Sequence, residues 1–145
     1  MLKNGFLLSY ASAEFAGGIC WASRSSWRLW CRADAAGELK HGPIALLDET
    51  FPVVAICTNS PTREKMVSNV HEMTARDAPV LALVTEGDNS LDGIATDTLV
   101  MPPADEFAGA LLNTVALQLF AYHVAVALGT NVDQPRNLAK SVTVE

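Results

Sequence analysis

Two short apolar runs, Pro52-Val53-Val54-Ala55-Ile56-Cys57 and Pro79-Val80-Leu81-Ala82-Leu83-Val84, constrain this chain more than any other feature in it. Each is continuous rather than alternating, and β-branched residues are prominent, as in a strand buried on both faces. Between them Met66, Val67, Val70, Met73 and Thr74 recur at helical spacing, with Arg63, Glu64, Lys65, Glu72 and Arg76 on the other side. Ser60 or Thr62 stands where it can cap that helix. The sequence therefore predicts a β-α-β unit with parallel strands and a right-handed crossover.

Further elements extend the unit. Thr98-Leu99-Val100-Met101 reads as a third strand, ended by Pro102-Pro103. From residue 105 to residue 128 runs the longest helix, capped by Asp105. Its apolar residues Phe107, Leu111, Leu112, Val115, Leu119, Phe120, Val124 and Leu128 cover more than one face. Such a helix is expected to be buried against the sheet and also against a partner subunit or subdomain, with His123 in the core. Residues 85–97 read as a solvated turn, because Glu86, Asp88 and Asp92 lack the register of a calcium loop. In residues 33–47, Ala35, Ala36, Glu38 and Leu39 favour helix, and Gly42-Pro43 breaks it, which puts His41 where the chain turns. The fold class expected is α/β, a three-layer domain with a small parallel sheet flanked by helices.

A chain of 145 residues can bury one core without disulfides. The net charge of −6 and the scattering of ten Lys and Arg exclude a basic face, so nucleic acid is not an expected partner. Cys20, Cys31 and Cys57 form no CxxC and have no histidine cluster nearby, which argues against a disulfide framework and a metal site and fits a reducing cytoplasm. The run at Phe6-Leu7-Leu8 is broken by Ser9, Ser12 and Glu14, so no export signal is expected. Residues 108–128 are interrupted by Asn113, Gln118 and His123, and no membrane partner is expected. Neither a phosphate-binding glycine loop nor a nucleophile elbow occurs, and no cofactor is implied.

The last residues are unusual for a chain end. Gly129 stops the long helix and Pro135 forbids its resumption. Asp133, Gln134, Arg136 and Asn137 can all bond to loop backbone, while Val142 and Val144 alternate with Ser141 and Thr143 as if one face were packed. Such a tail holds Lys140 on an ordered loop. A lysine so placed suits a sugar carbonyl or a phosphate.

This tail, DQPRNLAKSVTVE, together with GELKHGP at residues 37–43, resembles the C-terminal end of the glutamine–fructose-6-phosphate aminotransferase (isomerizing) family, the glucosamine-6-phosphate synthases. The resemblance covers residues 33–145, which correspond to the second of two sugar-isomerase (SIS) subdomains, and leaves residues 1–32 as an unmatched segment. It implies an SIS-type fold with the tail as a lid, a sugar phosphate ligand (fructose 6-phosphate or glucosamine 6-phosphate), and a homo-oligomer. In that family the histidine of the HGP motif, here His41, assists sugar ring opening in the neighbouring subunit. The tail lysine, here Lys140, forms a Schiff base with the open-chain ketose, and the preceding alanine, here Ala139, lies against the sugar.

The chemistry suits these residue types. Ring opening needs a group that exchanges a proton near neutrality, and imine formation needs an amine shielded from water. A 1,2 proton shift also needs a carboxylate base. The family's lysine and glutamate before the HGP motif correspond to Ala22 and Ser25 here. The resemblance therefore implies a fragment of the synthase, inactive alone. Alternatives are a non-catalytic sugar-phosphate-binding SIS module or a deglycase acting on sugar-phosphate amines.

Overall fold

A computed structural model describes residues 6–10, 31–129 and 131–133. Five strands form one sheet: β1 (Phe6–Tyr10), β2 (Cys31–Ala35), β3 (Val53–Cys57), β4 (Val80–Thr85) and β5 (Asp97–Met101). All neighbouring pairs are parallel, in the order β2-β1-β3-β4-β5. Two α-helices accompany them, α1 (Arg63–Thr74) and α2 (Glu106–Ala127). The α/β class, the parallel sheet and the β3-α1-β4 unit are as the sequence predicts.

The side-chain alternation of β3 and β4 divides the core in two. Val53, Ala55, Cys57, Val80, Ala82 and Val84 face α1 and pack with Met66, Val70 and Met73. Val54, Ile56, Leu81 and Leu83 face the other way and pack with Leu112, Leu117 and Phe120 of α2. Both faces of the central strands are thus covered, which is why their sequences are apolar without alternation. Helix, sheet and helix make three layers.

Several local expectations change. The sheet gains β1 and β2, so a limit between residues 32 and 33 would fall inside β2. The helix favoured within residues 33–41 is replaced by strand β2 and a 3-10 helix, Ala36–His41. Pairing with β1 fixes residues 31–35 as extended backbone and overrides their helical propensity. Thr62 holds the cap position of α1 without a side-chain cap bond; its hydroxyl lies 3.4 Å from that of Ser60 instead. Asp105 caps α2 as expected, accepting from the Ala108 N–H at 2.8 Å.

Among the described residues α2 is buried on one side, against the sheet, as the sequence predicts for that face. Asn113 and Leu117 are its buried residues, whereas Phe107 is 78% exposed. His123 is exposed rather than in the core and meets Tyr122 edge to face at 5.4 Å. By length and composition alone α2 would also be apolar enough to cross a membrane, despite its three interrupting polar residues.

Candidate functional site

Each strand points its carboxyl end toward the same edge of the sheet. The strand order reverses between β1 and β3, and in open parallel sheets that edge is where ligands bind. Here a shallow crevice is lined by Thr58 and Asn59 after β3, Thr85 of β4, Met101 and Pro102 at the end of β5, and Asn113 of α2. The Thr85 hydroxyl accepts from the Asn59 N–H at 2.9 Å, and the Asn113 amide donates to the Thr58 hydroxyl at 2.8 Å. Asn113 Oδ1 is buried without a partner. The enclosed space at the floor, about 10 Å³, takes one water molecule, not a sugar phosphate.

Beside the crevice, the first turn of α1 is tied to the loop after β4. Arg63 Nε donates to Asp88 Oδ2 at 2.6 Å, Arg63 Nη2 pairs with Asp88 Oδ1, and the same nitrogen donates to the Ser90 hydroxyl at 2.8 Å. The expected solvated turn is therefore partly structural: Asp88 is a half-buried anchor. Burial works against its charge, but bonds from Arg63 and Ser90 prevail and hold the carboxyl below its ordinary range. Burial and the nearby Asp88 carboxylate push the Cys57 thiol up to about 12, against a lowering by Arg63. Cys57 is a core residue, not a nucleophile.

His41 lies elsewhere. Leu39, fully buried under α1, pins the 3-10 helix that carries it. Lys40 Nζ meets Glu72 Oε1 at 2.8 Å, in the last turn of α1. Since α1 runs from the carboxyl edge at Arg63 back toward the amino edge, His41 sits toward the amino edge, away from the crevice, and is exposed. Gly42 follows with φ 152 and ψ −52, a conformation suited to glycine, and Pro43 opens a second 3-10 helix, Pro43–Leu46. The GP of the motif is thus a backbone reversal that presents the histidine to solvent.

Over residues 29–128 the sequence matches the SIS domain family. The chain belongs to the SIS domain family. Within it, the chain is similar to glutamine–fructose-6-phosphate aminotransferase (isomerizing) of Thermus thermophilus, 52% identical over 110 residues, which are 76% of this chain and 18% of the relative. The enzyme of the same name from Methanosarcina mazei is 56% identical over 111 residues, covering 77% and 18%. Among solved structures, the C-terminal domain of glucosamine-fructose-6-phosphate aminotransferase from Francisella tularensis superposes with a TM-score of 0.80 at 29% identity, over 91% of this chain and 38% of that one. This SIS chain spans about a fifth of the length of the curated relatives it matches.

Of the residues singled out in the sequence, Ala22, Ser25, Ala139 and Lys140, with the lid tail beyond residue 133, lie outside the described residues. His41 is not joined by another of them. The crevice pair Thr58–Asn113 and the Arg63–Asp88 clamp escaped the sequence reading, because their partners stand 55 and 25 residues apart with no motif to link them.

Proposed function

We propose that this chain is a sugar-isomerase subdomain of a glucosamine-6-phosphate-forming enzyme, acting on fructose 6-phosphate only within a larger assembly. The observation that carries the proposal is the identity above 50% to aminotransferases of that name, which continues the likeness of the HGP and QPRNLAKS motifs. In this reading His41 moves a proton from the anomeric hydroxyl to the ring oxygen as the sugar opens. Lys140 then adds to the C2 carbonyl and water leaves, giving an imine that ammonia later displaces. Ala139 lies against the sugar. No cofactor is needed, and the protein works in the cytoplasm.

The exposed position of His41 toward the amino edge supports its use by a neighbouring subunit, which makes the working form a homo-oligomer. The resemblance puts Ser25 where the family has its carboxylate base, and on this reading these residues are expected to form no glucosamine 6-phosphate alone. Calorimetry with fructose 6-phosphate, using Lys140→Ala and His41→Ala as controls, tests the reading together with a product assay. The expectation is no product, and any sugar binding to depend on Lys140. Product formation by the purified chain refutes the fragment reading. Sugar binding unchanged in Lys140→Ala refutes the role of the tail. Ser25 in place of the base is also what a non-catalytic binding module would show, and binding without turnover favours that reading.

A further inference from the structure

Asn113 of α2 is only 8% exposed and lines the crevice at the carboxyl edge of the sheet. Its amide nitrogen is engaged by the Thr58 hydroxyl at 2.8 Å, while Oδ1 is buried without a partner among the described residues. A buried carbonyl oxygen of this kind calls for a donor, and leaving it bare is costly. Thr58 and Thr85 line the same crevice. Their hydroxyls each accept one bond, from Asn113 and from the Asn59 N–H, and each keeps its own proton to donate. A single hydroxyl group complements that set, because it donates once and accepts twice. The floor, about 10 Å³, has room for one such oxygen.

Gly109 points to the same place. It stands one turn before Asn113 on the same face of α2 and also lines the crevice. Glycine weakens a helix relative to alanine, so its presence there calls for a reason. Packing supplies none, since a Cβ at this position would meet no atom within 4 Å. A larger side chain would instead project into the open space beside the floor.

Met101, Pro102 and Leu112 make the rim apolar, and among the described residues no charged side chain lines the crevice. The open space with its mouth is about 210 Å³, below the roughly 300 Å³ at which pockets for drug-sized ligands begin. We propose that the crevice is a binding site for a small neutral polyol of the size of glycerol, with one hydroxyl on Asn113 Oδ1 and its carbon chain against the rim. Water alone would satisfy the floor but leave Gly109 unexplained. A phosphate would find no cation. The site uses neither Lys140 nor His41 and is independent of the sugar chemistry proposed above.

Heteronuclear NMR of the purified chain, titrated with glycerol, tests the site. The Asn113 side-chain amide and the Asn59 backbone amide are expected to shift and to saturate at millimolar glycerol, weak binding being usual for a ligand of so few atoms. Inorganic phosphate at the same concentrations should leave both in place. Gly109→Leu should fill the crevice and weaken glycerol binding by at least about tenfold, while folding as well as the wild type because leucine favours helix more than glycine does. Asn113→Leu removes the acceptor and should abolish binding. Circular dichroism reports whether that variant folds, and Gly109→Leu decides the matter if it does not. Shifts that grow linearly without saturating would leave the floor to water and overturn the proposal. Binding unchanged in Gly109→Leu, or equal shifts with phosphate, would overturn it as well.

Discussion

Arg63 and Asp88 are joined through two nitrogens and two oxygens, so that a guanidinium on the first turn of α1 locks the loop that follows β4. The side chains are 28% and 10% exposed, so the pair is more sheltered than a surface salt bridge yet not fully desolvated.

Removing either partner should have unequal effects. Arg63→Ala strands a carboxylate with little access to water and is expected to cost about 2–3 kcal/mol, whereas Asp88→Ala leaves a guanidinium that can turn outward and should cost less. Urea unfolding of the two variants measures the difference. Equal losses would mean the pair contributes through packing alone.

The same clamp has an acid signature. The Asp88 carboxyl is held below its ordinary value of 3.8 in the folded state, so its contribution is full above that value and is lost as pH falls through the lower folded pKa. The stability gap between wild type and Asp88→Asn should therefore be constant near neutrality and shrink below about pH 4. A gap unchanged down to acid unfolding would show that the charge is not what the clamp uses.

Cys57 gives the opposite, alkaline, signature. Its folded pKa is raised to about 12 from 9.0, so the unfolded chain ionises first and stability falls as pH rises above about 9. Cys57→Ala should flatten that slope. Alkylation mapped by mass spectrometry should leave Cys57 unmodified in the native protein and label it after unfolding. Labelling of the native protein would contradict the burial.

Asn113 offers a test of the crevice floor. Asn113→Asp places a carboxylate beside the Thr58 hydroxyl with its second oxygen buried and unpartnered, and should cost about 3 kcal/mol or more at neutral pH. Protonation in acid should recover part of the loss. A variant as stable as wild type at pH 7 would mean that the floor is open to water.

Gly42→Ala meets no neighbouring atom within 4 Å, so its effect should be purely conformational. The backbone at φ 152 and ψ −52 should make the change cost about 1–3 kcal/mol. Thermal unfolding checks this, and an unchanged midpoint would show that the reversal before Pro43 can be made another way.

Local chemistry determined much of this protein directly from its sequence. The continuous apolar runs of β3 and β4, the helical spacing of Met66, Val70 and Met73, and the Asp105 cap each act within a few residues, and short-range periodicity is sufficient to read them. The HGP and tail motifs pointed to the SIS family in the same way, as linear patterns.

Tertiary structure decided what depends on distant partners. Residues 31–35 became a strand because β1 lies beside them, and Asp88 became an anchor because Arg63 reaches it. His41 was carried toward the amino edge by the burial of Leu39 and the Lys40–Glu72 pair, neither of which is a property of the motif. Among the described residues, Phe107, Leu111, Val115 and Leu119 of α2 stayed exposed because the sheet covers the side that bears Asn113 and Leu117. Hydrogen-bond ladders, ion pairs and shared burial join residues far apart in the chain, so no local pattern can announce them.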